Sequence, residues 1–215
     1  MIILGLGFRA RQGKTSIANL MKEEDNRVRV YAFGDEIKLA CKAAHDTLVT
    51  QWETHHPGQK LSPPKKDPIY GYCDILQWYG TDIVRKENPN FWIDSLHKHL
   101  VKDAPEIAVI TDVRFPNEAE YIKAQGGYLV EIVRLNKDNT QYIDPNRDPN
   151  HPSEMAMDGY PWDYIIVAKD GDLQGLKSKS IGVLNLAKIG PDNYVNEPDT
   201  HAAWQDDSTG FYLQG

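Results

Sequence analysis

The 215-residue chain has few of the features that mark secreted, membrane-bound or nucleic-acid-binding proteins. It has only two cysteines, Cys41 and Cys73, and their spacing fits no metal motif. Its net charge of -7 argues against a wide surface for nucleic acid or anionic membrane, because such surfaces need many Lys or Arg contacts to phosphate. Its apolar opening, residues 1–6, is far shorter than the roughly 20 residues of a membrane span. We therefore expect a soluble protein of a reducing cytoplasm, with no membrane partner and no extended nucleic-acid surface.

The sequence also lacks the usual spacing of a glycine loop that binds phosphate. Residues 5–16 read GLGFRARQGKTS, and Phe8 stands five positions before Gly13, where the general pattern requires glycine. The segment nevertheless lies between an apolar strand pattern and a helical pattern, as a phosphate loop must. Backbone N–H groups at the helix N-terminus and the Lys14 ammonium would converge on an anion there. We predict a phosphate site, with a basic surface turn as the alternative.

Strand and helix patterns alternate along most of the chain, which predicts an α/β fold. We expect a three-layer α/β/α domain over residues 1–185, with a central parallel five-stranded sheet and ligands at the carboxyl ends of its strands. Two polar, proline-rich ranges, about 46–72 and about 136–161, are predicted to be arms, and residues 186–215 a tail of unknown role. The predicted strands are 2–6, 28–33, 107–113, 128–135 and 164–168.

A second candidate motif is ITDVRFPNEAE, residues 110–120. Its strand ends in Asp112, at the place where an acidic residue can orient Mg²⁺, and Arg114 follows at the sheet edge. An aspartate after an apolar run is a weak signal by itself. The structural alternative makes Asn117 a helix cap and puts Glu118 in the first helical turn, and we expect this to hold for Asn117.

A third motif is the helical segment ILQWYGTDIVR, residues 75–85. Its polar side chains recur on one helical face beside Trp78 and could hold a base by stacking and a phosphate by an arginine fork. Gly80 costs about 1 kcal/mol in mid-helix relative to Ala, which suggests close approach of a ligand or a neighbouring backbone. An amphipathic helix with solvated charges is the alternative. The polar positions are Gln77, Thr81, Asp82 and Arg85.

The polar arm contains DPNHPSE, residues 148–154. His151, Ser153 and Glu154 lie within four residues of each other, whereas the members of a hydrolase triad meet from separate segments. A hydrolase is therefore excluded.

These motifs together resemble the bacteriophage deoxynucleoside monophosphate kinases, a branch of the P-loop nucleotide kinases. The resemblance rests on GLGFRARQGKT, FGDEIK, LQWYGTDIVR with a following FW, DVRFPNEAE and HPSE, and it runs from about residue 2 to residue 180. It implies transfer of the ATP γ-phosphate to a deoxynucleoside monophosphate, with ATP and Mg²⁺ as cofactors and small molecules as partners. Many relatives carry Asp after the loop lysine, where this chain has Thr15.

The resemblance also implies roles for individual residues. ATP would be bound by Arg11, Gln12, Gly13, Lys14, Thr15, Ser16 and Arg134, and Mg²⁺ by Thr15 and Asp112. Catalytic roles fall to Lys14, Asp35, Arg85 and Arg114. The acceptor would be bound by Asp35, Lys38, Gln77, Trp78, Thr81, Asp82, Arg85, Trp92, Arg114, Glu118, His151 and Glu154. The arm containing Arg147, His151 and Glu154 resembles a lid over the phosphates.

Two alternatives stay open at this point. One is a P-loop kinase acting on a modified nucleotide, a base in DNA or another small acceptor, against which the acidic balance weighs. The other is a nucleotide-binding protein without catalysis, against which the presence of Lys14, Thr15 and Asp112 weighs. The accepted bases and a homodimeric state are left open. The expected location is the cytoplasm, that of the host if the chain is phage-encoded.

Overall fold

The structure is a computed structural model that describes residues 1–61, 72–145, 147–190 and 211–213. The chain divides into two compact units. Unit 1 consists of Met1–Tyr31 and Asp103–Gly215, and unit 2 of Ala32–Lys102. The predicted arm 46–72 lies inside unit 2, and its residues 62–71 lie outside the described part of the chain.

Unit 1 is built on a sheet whose first five strands are parallel, in the order β2-β3-β1-β4-β5. Apolar and β-branched side chains dominate these strands, as expected for a parallel sheet that is covered on both faces. The predicted three-layer fold with a five-stranded parallel sheet is thus confirmed. The strands are β1 Ile2–Gly7, β2 Val28–Tyr31, β3 Ile107–Val113, β4 Tyr128–Leu135 and β5 Tyr164–Lys169.

Helices cover both faces of this sheet. Helices α1 (Lys14–Glu24) and α8 (Leu173–Ile189) share one buried cluster with Leu4 and Leu6 of β1. Gly5 lies between those two leucines and faces the other way, because side chains alternate along a strand. A Cβ at Gly5 would lie 2.6 Å from Ile122 Cδ1 of α6 (Pro116–Ala124), so α6 covers the second face.

Unit 2 is helical in its described residues. It contains α2 (Asp35–Ala43), α3 (His45–His55), α4 (Cys73–Gln77), a π-helical segment Trp78–Arg85, and α5 (Phe91–Asp103), whose last residue belongs to unit 1. Its core cluster is formed by Cys41, Leu48, Trp52, Ile75 and Trp78. Burial raises the pKa of the Cys41 thiol to about 11, so that thiol is protonated at neutral pH.

Gly80 lies inside the π-helical segment and is closely approached, as its mid-helix position suggested. A Cβ at this residue would lie 2.8 Å from Ile37 Cδ1 of α2, and the Gly80 carbonyl accepts a hydrogen bond of 3.0 Å from Trp92 Nε1. The close neighbour in the structure is therefore the Ile37 side chain.

Three local features differ from the sequence-based expectations. Helix α6 begins at Pro116 with Phe115 at its N-cap, so the predicted cap at Asn117 is wrong. Helix α8 runs to Ile189 and so extends into the predicted tail, residues 186–215. Strand β6 (Phe211–Leu213), in the predicted tail, adds an antiparallel edge to β5, while residues 191–210 and 214–215 lie outside the described part. None of the described helices is long and apolar enough to span a membrane.

Candidate active site

The phosphate loop, residues 8–13, connects β1 to α1 in unit 1. Gly13 is the N-cap of α1 and has a φ of 103°, a left-handed conformation that favours glycine. Gly13 has no side chain to cap the helix, and the first turn of α1 contains no acidic residue. The helix dipole and the amide groups of this turn are therefore available to an external anion.

Lys14, the first residue of α1, is buried against this loop, with 7% of its surface exposed. Its Nζ donates to the carbonyl oxygens of Phe8, at 3.3 Å, and of Arg9. Burial lowers the pKa of the Lys14 ammonium well below its usual value, and the charge of Arg114 lowers it further. The carboxylates of Glu154 and Asp112 act in the opposite direction. An anion bound in the loop would supply negative charge that stabilises the protonated form of Lys14.

Asp112 lies near the end of β3, the strand that pairs with β1. Thr15 is exposed in the first turn of α1. Among the described residues, no group of three or more His, Cys, Asp or Glu side chains could hold a metal alone. A hydroxyl and one carboxylate fit Mg²⁺, which commonly takes one or two protein oxygens and completes its shell with phosphates and water. The metal roles of Thr15 and Asp112 stay predictions.

Glu154 is the centre of a charged cluster beside the loop. Its Oε1 accepts hydrogen bonds from Arg114 Nη1 at 2.7 Å and from Arg147 Nη1 at 3.2 Å. Its Oε2 accepts the backbone N–H of Ala10, in the phosphate loop, at 2.8 Å. The carboxylate is 8% exposed, so these contacts replace water as its hydrogen-bond partners. Two arginines from separate segments are thereby held close to the loop and to Lys14.

Arg11 and Gln12, which the resemblance assigned to ATP, contact protein groups in the structure. Arg11 Nε lies 3.1 Å from Asp144 Oδ2. Gln12 is 3% exposed, donates from Nε2 to the Tyr142 carbonyl at 2.8 Å and accepts the Arg134 N–H on Oε1 at 2.6 Å. Sequence reasoning missed Asp144, because a single aspartate in a polar segment looks solvent-exposed.

Other predicted residues of unit 1 also have protein partners. Glu118 Oε2 accepts the N–H groups of Arg114 (2.7 Å) and Phe115 (3.1 Å), so this buried carboxylate closes the first turn of α6. The Arg134 guanidinium lies over the Tyr142 ring, 4.3 Å from its centroid. His151 Nδ1 lies 2.9 Å from Ser153 Oγ at the start of α7 (Pro152–Met155).

The remaining predicted residues belong to unit 2. Lys38 Nζ forms an exposed ion pair of 2.7 Å with Asp35 Oδ1. Arg85 Nη1 donates to the Pro89 carbonyl at 3.3 Å. Trp92 is 2% exposed and supports Gly80, which is a packing role. Trp78 is buried in the core cluster of unit 2, Asp82 is exposed, and Gln77 and Thr81 are intermediate.

A parallel sheet, a loop between its central strand and a helix, a buried lysine and a carboxylate at the end of the neighbouring strand together define the P-loop nucleotide kinase class. Beside the loop, Glu154 accepts hydrogen bonds from both Arg114 and Arg147. Phosphoryl transfer requires positive charge near the transferred group.

Comparison with known proteins identifies the family. Residues 70–180 match the family model described as deoxynucleotide monophosphate kinase. The chain is 27% identical over 202 residues to the "Putative deoxynucleotide monophosphate kinase" of Acanthamoeba polyphaga mimivirus, covering 87% of this chain and 98% of the relative. It is 31% identical over 144 residues to the deoxynucleoside-5'-monophosphate kinase of Escherichia phage T5, covering 62% of this chain and 54% of the relative. The chain belongs to the deoxynucleotide monophosphate kinase family and is a phosphotransferase with small-molecule substrates.

Proposed function

We propose that the protein transfers the γ-phosphoryl group of ATP to a deoxynucleoside monophosphate and releases ADP and a deoxynucleoside diphosphate. The burial of Lys14 within the phosphate loop, beside the charges of Asp112 and Arg114, is the observation that carries this proposal. Phosphoryl transfer needs little covalent help from protein, because positioning and charge stabilisation supply most of the rate. Viral and phage relatives support a role in supplying DNA precursors in the cytoplasm of an infected cell.

The positions of the unit 1 residues support the following roles. The amides of the first turn of α1 and the Lys14 ammonium bind the terminal phosphates of ATP. Arg114 and Arg147, both held by Glu154, stabilise the negative charge on the transferred group. Mg²⁺ would be held by Thr15 and Asp112, and when bound it neutralises charge on the phosphate oxygens.

The residues of unit 2 provide the acceptor side of the proposal. The family resemblance supports acceptor roles for Asp35 and Lys38, whose exposed ion pair leaves both groups accessible. It supports the same role for Gln77, Thr81, Asp82 and Arg85, which lie in or beside the π-helical segment. Such segments occur frequently at functional sites.

The proposal is tested by incubating the protein with ATP, Mg²⁺ and each of the four common deoxynucleoside monophosphates, and measuring ADP and the diphosphate. We expect turnover with at least one acceptor and a loss of at least about 10³-fold in Lys14→Ala, because one buried charge stabilises the transition state. The thermal transition of Lys14→Ala is its control for folding. Absence of turnover with every acceptor would refute the proposed reaction, and full activity in Lys14→Ala would refute the role of the loop.

A further inference from the structure

Four consecutive residues of the phosphate loop contact the predicted arm, residues 136–161. Arg9 Nη2 forms an ion pair with Asp158 at 2.6 Å, and the Ala10 N–H donates to Glu154 at 2.8 Å. Arg11 Nε contacts Asp144 at 3.1 Å, and Gln12 Nε2 donates to the Tyr142 carbonyl at 2.8 Å. We call residues 9–12 the loop strip. Its partners come from three parts of the arm, so the contact is distributed along the arm rather than confined to one point.

The beginning of the arm is folded back towards the loop. After β4, a turn at residues 136–140 reverses the chain, and the Tyr142 N–H donates to the Arg134 carbonyl at 2.8 Å. An antiparallel bridge between Leu135 and Gln141 continues the same reversal. This places residues 141–144 beside the loop strip. The arm has little regular structure of its own, so its position depends on contacts of this kind.

The Arg11–Asp144 ion pair is asymmetric in its burial. The Asp144 side chain is 2% exposed, whereas the Arg11 side chain is 45% exposed. A buried carboxylate is costly unless a cation or hydrogen bonds compensate it. Because Asp144 is buried only when the arm is seated, the contact with Arg11 compensates this cost in the seated position. Arg11 is meanwhile accessible enough that a direct phosphate contact is a real competing role.

The arm brings functional groups with it. A cavity of about 260 Å³ lies between the loop strip and the arm, and its lining includes Ala10, Gln12, Tyr142, Arg147 and Glu154. A displacement of the arm would therefore move Arg147 and Glu154 and change the shape of this cavity.

We propose that Arg11 and Asp144 are positioning residues whose ion pair seats the arm, with Arg147 and Glu154, against the phosphate loop before nucleotide binds. The proposal rests on the proposed function, because it takes residues 8–14 as the site of the ATP phosphates. It replaces the ATP-binding role expected for Arg11 and makes the arm a fixed wall of the free enzyme. In this proposal the unusual loop sequence RARQ, residues 9–12, is explained by its contacts with the arm rather than with the phosphates.

Asp144→Asn separates the two roles of Arg11, because they predict opposite signs. If Arg11 seats the arm, loss of the Asp144 charge weakens ATP binding, and we expect a fall of about tenfold. If Arg11 binds phosphate directly, Asp144→Asn frees its guanidinium and leaves ATP affinity unchanged or raised. The experiment measures ATP affinity by titration calorimetry in Asp144→Asn, Arg11→Ala and the double variant. It also measures amide hydrogen exchange over residues 141–158 of the full-length protein without nucleotide.

We expect both single variants to weaken ATP binding and to speed exchange in the arm, and the double variant to be no worse than the weaker-binding single variant. Arg11→Lys, which keeps the charge, should recover part of the affinity. Lys123→Ala is the matched control: it removes an ion pair of 2.8 Å with Asp163, elsewhere in unit 1, and should leave both readouts unchanged.

Tighter or unchanged ATP binding in Asp144→Asn would overturn the proposal. Weaker binding in Arg11→Ala with the arm still protected from exchange would overturn it too, because Arg11 would then be a direct ligand. The exchange measurement needs no turnover. A wild-type protein without kinase activity would therefore refute the proposed reaction while leaving the arm contact to be judged separately.

Discussion

At the scale of single residues, Lys14 combines burial with a positive charge, two properties that ordinarily conflict. Its ammonium lies in the protein interior, and its Nζ is hydrogen-bonded to the loop's own carbonyl oxygens. Burial opposes its charge, which is why its pKa lies well below the usual lysine value. A triphosphate would reverse this balance, since it brings several negative charges to the same place. Binding of nucleotide and binding of a proton are therefore coupled at this residue.

This coupling gives a pH prediction. The complex binds more protons at Lys14 than the free enzyme does, so ATP affinity should fall as pH rises, with net proton uptake on binding. Calorimetry in two buffers of different ionisation enthalpy, above pH about 7.5 where phosphates with a second pKa of about 6 are ionised, measures the uptake. Lys14→Arg is the control, because a guanidinium stays protonated and should take up no proton. Equal uptake in both proteins would contradict the assignment to Lys14.

At the scale of secondary-structure elements, the phosphate loop begins where β1 passes under an aromatic ring. A Cβ at Gly7, the last residue of β1, would overlap the ring of Trp162, with Cζ3 only 2.6 Å away. Trp162 is 3% exposed and stacks on Phe8 with ring centroids 6.0 Å apart, so it has little room to move. The end of the strand, the ring and the start of the loop are thus packed as one layer.

We therefore expect Gly7→Ala to destabilise the protein by about 1–3 kcal/mol, as overpacking of a core does, and to lower ATP affinity by shifting the loop. Gly182→Ala in α8 is the matched control. A Cβ there meets no atom within 4 Å, so alanine should stabilise the helix by up to about 1 kcal/mol. Denaturant unfolding measures the change in unfolding free energy of both variants. An unchanged unfolding free energy in Gly7→Ala would contradict the prediction, because the Trp162 ring would then move aside without cost.

The elements also show what the sequence can and cannot predict. The five parallel strands and the strand–loop–helix around residues 8–13 follow from apolar runs and the helical pattern after them, which are local signals. The sequence does not predict helix α3, because its stability comes from packing Leu48 and Trp52 and not from a clear local period. The contacts of the loop strip join residues more than 120 positions apart, so no local pattern could show them.

At the scale of the whole molecule, one carboxylate links the C-terminal ends of helices α1 and α8 in unit 1. Asp25, just after α1, accepts hydrogen bonds from Arg27 Nε (3.0 Å) and Nη2 (2.8 Å) and pairs with Lys188 Nζ of α8 at 2.7 Å. These hydrogen bonds, those of Arg27 first, hold the pKa of Asp25 well below its usual range. The carboxylate therefore favours the folded state wherever it is ionised.

The sign of the pH dependence follows. Because the folded-state pKa is depressed, this stabilisation is present above the unfolded pKa of about 3.9 and is lost as pH falls below it. We expect Asp25→Asn to lower Tm at pH 7, and the difference from wild type to shrink below pH about 4. Thermal melts over this range test it. Glu23→Gln, at an exposed position of α1, is the control, and a pH-independent deficit in Asp25→Asn would contradict the ionic origin.

The chain leaves the sheet after β2 and returns at β3, its immediate neighbour, and the departure and return points are joined by a hydrogen bond of 3.2 Å between Tyr31 Oη and Asp103 Oδ2. Everything in between, Ala32–Lys102, is in topological terms a cassette whose two ends meet. Chain insertions at such paired ends are tolerated well, because they disturb few buried contacts. If unit 2 binds the acceptor as proposed, exchange of this cassette would alter which nucleotide is accepted and leave the sheet and the loop of unit 1 unchanged.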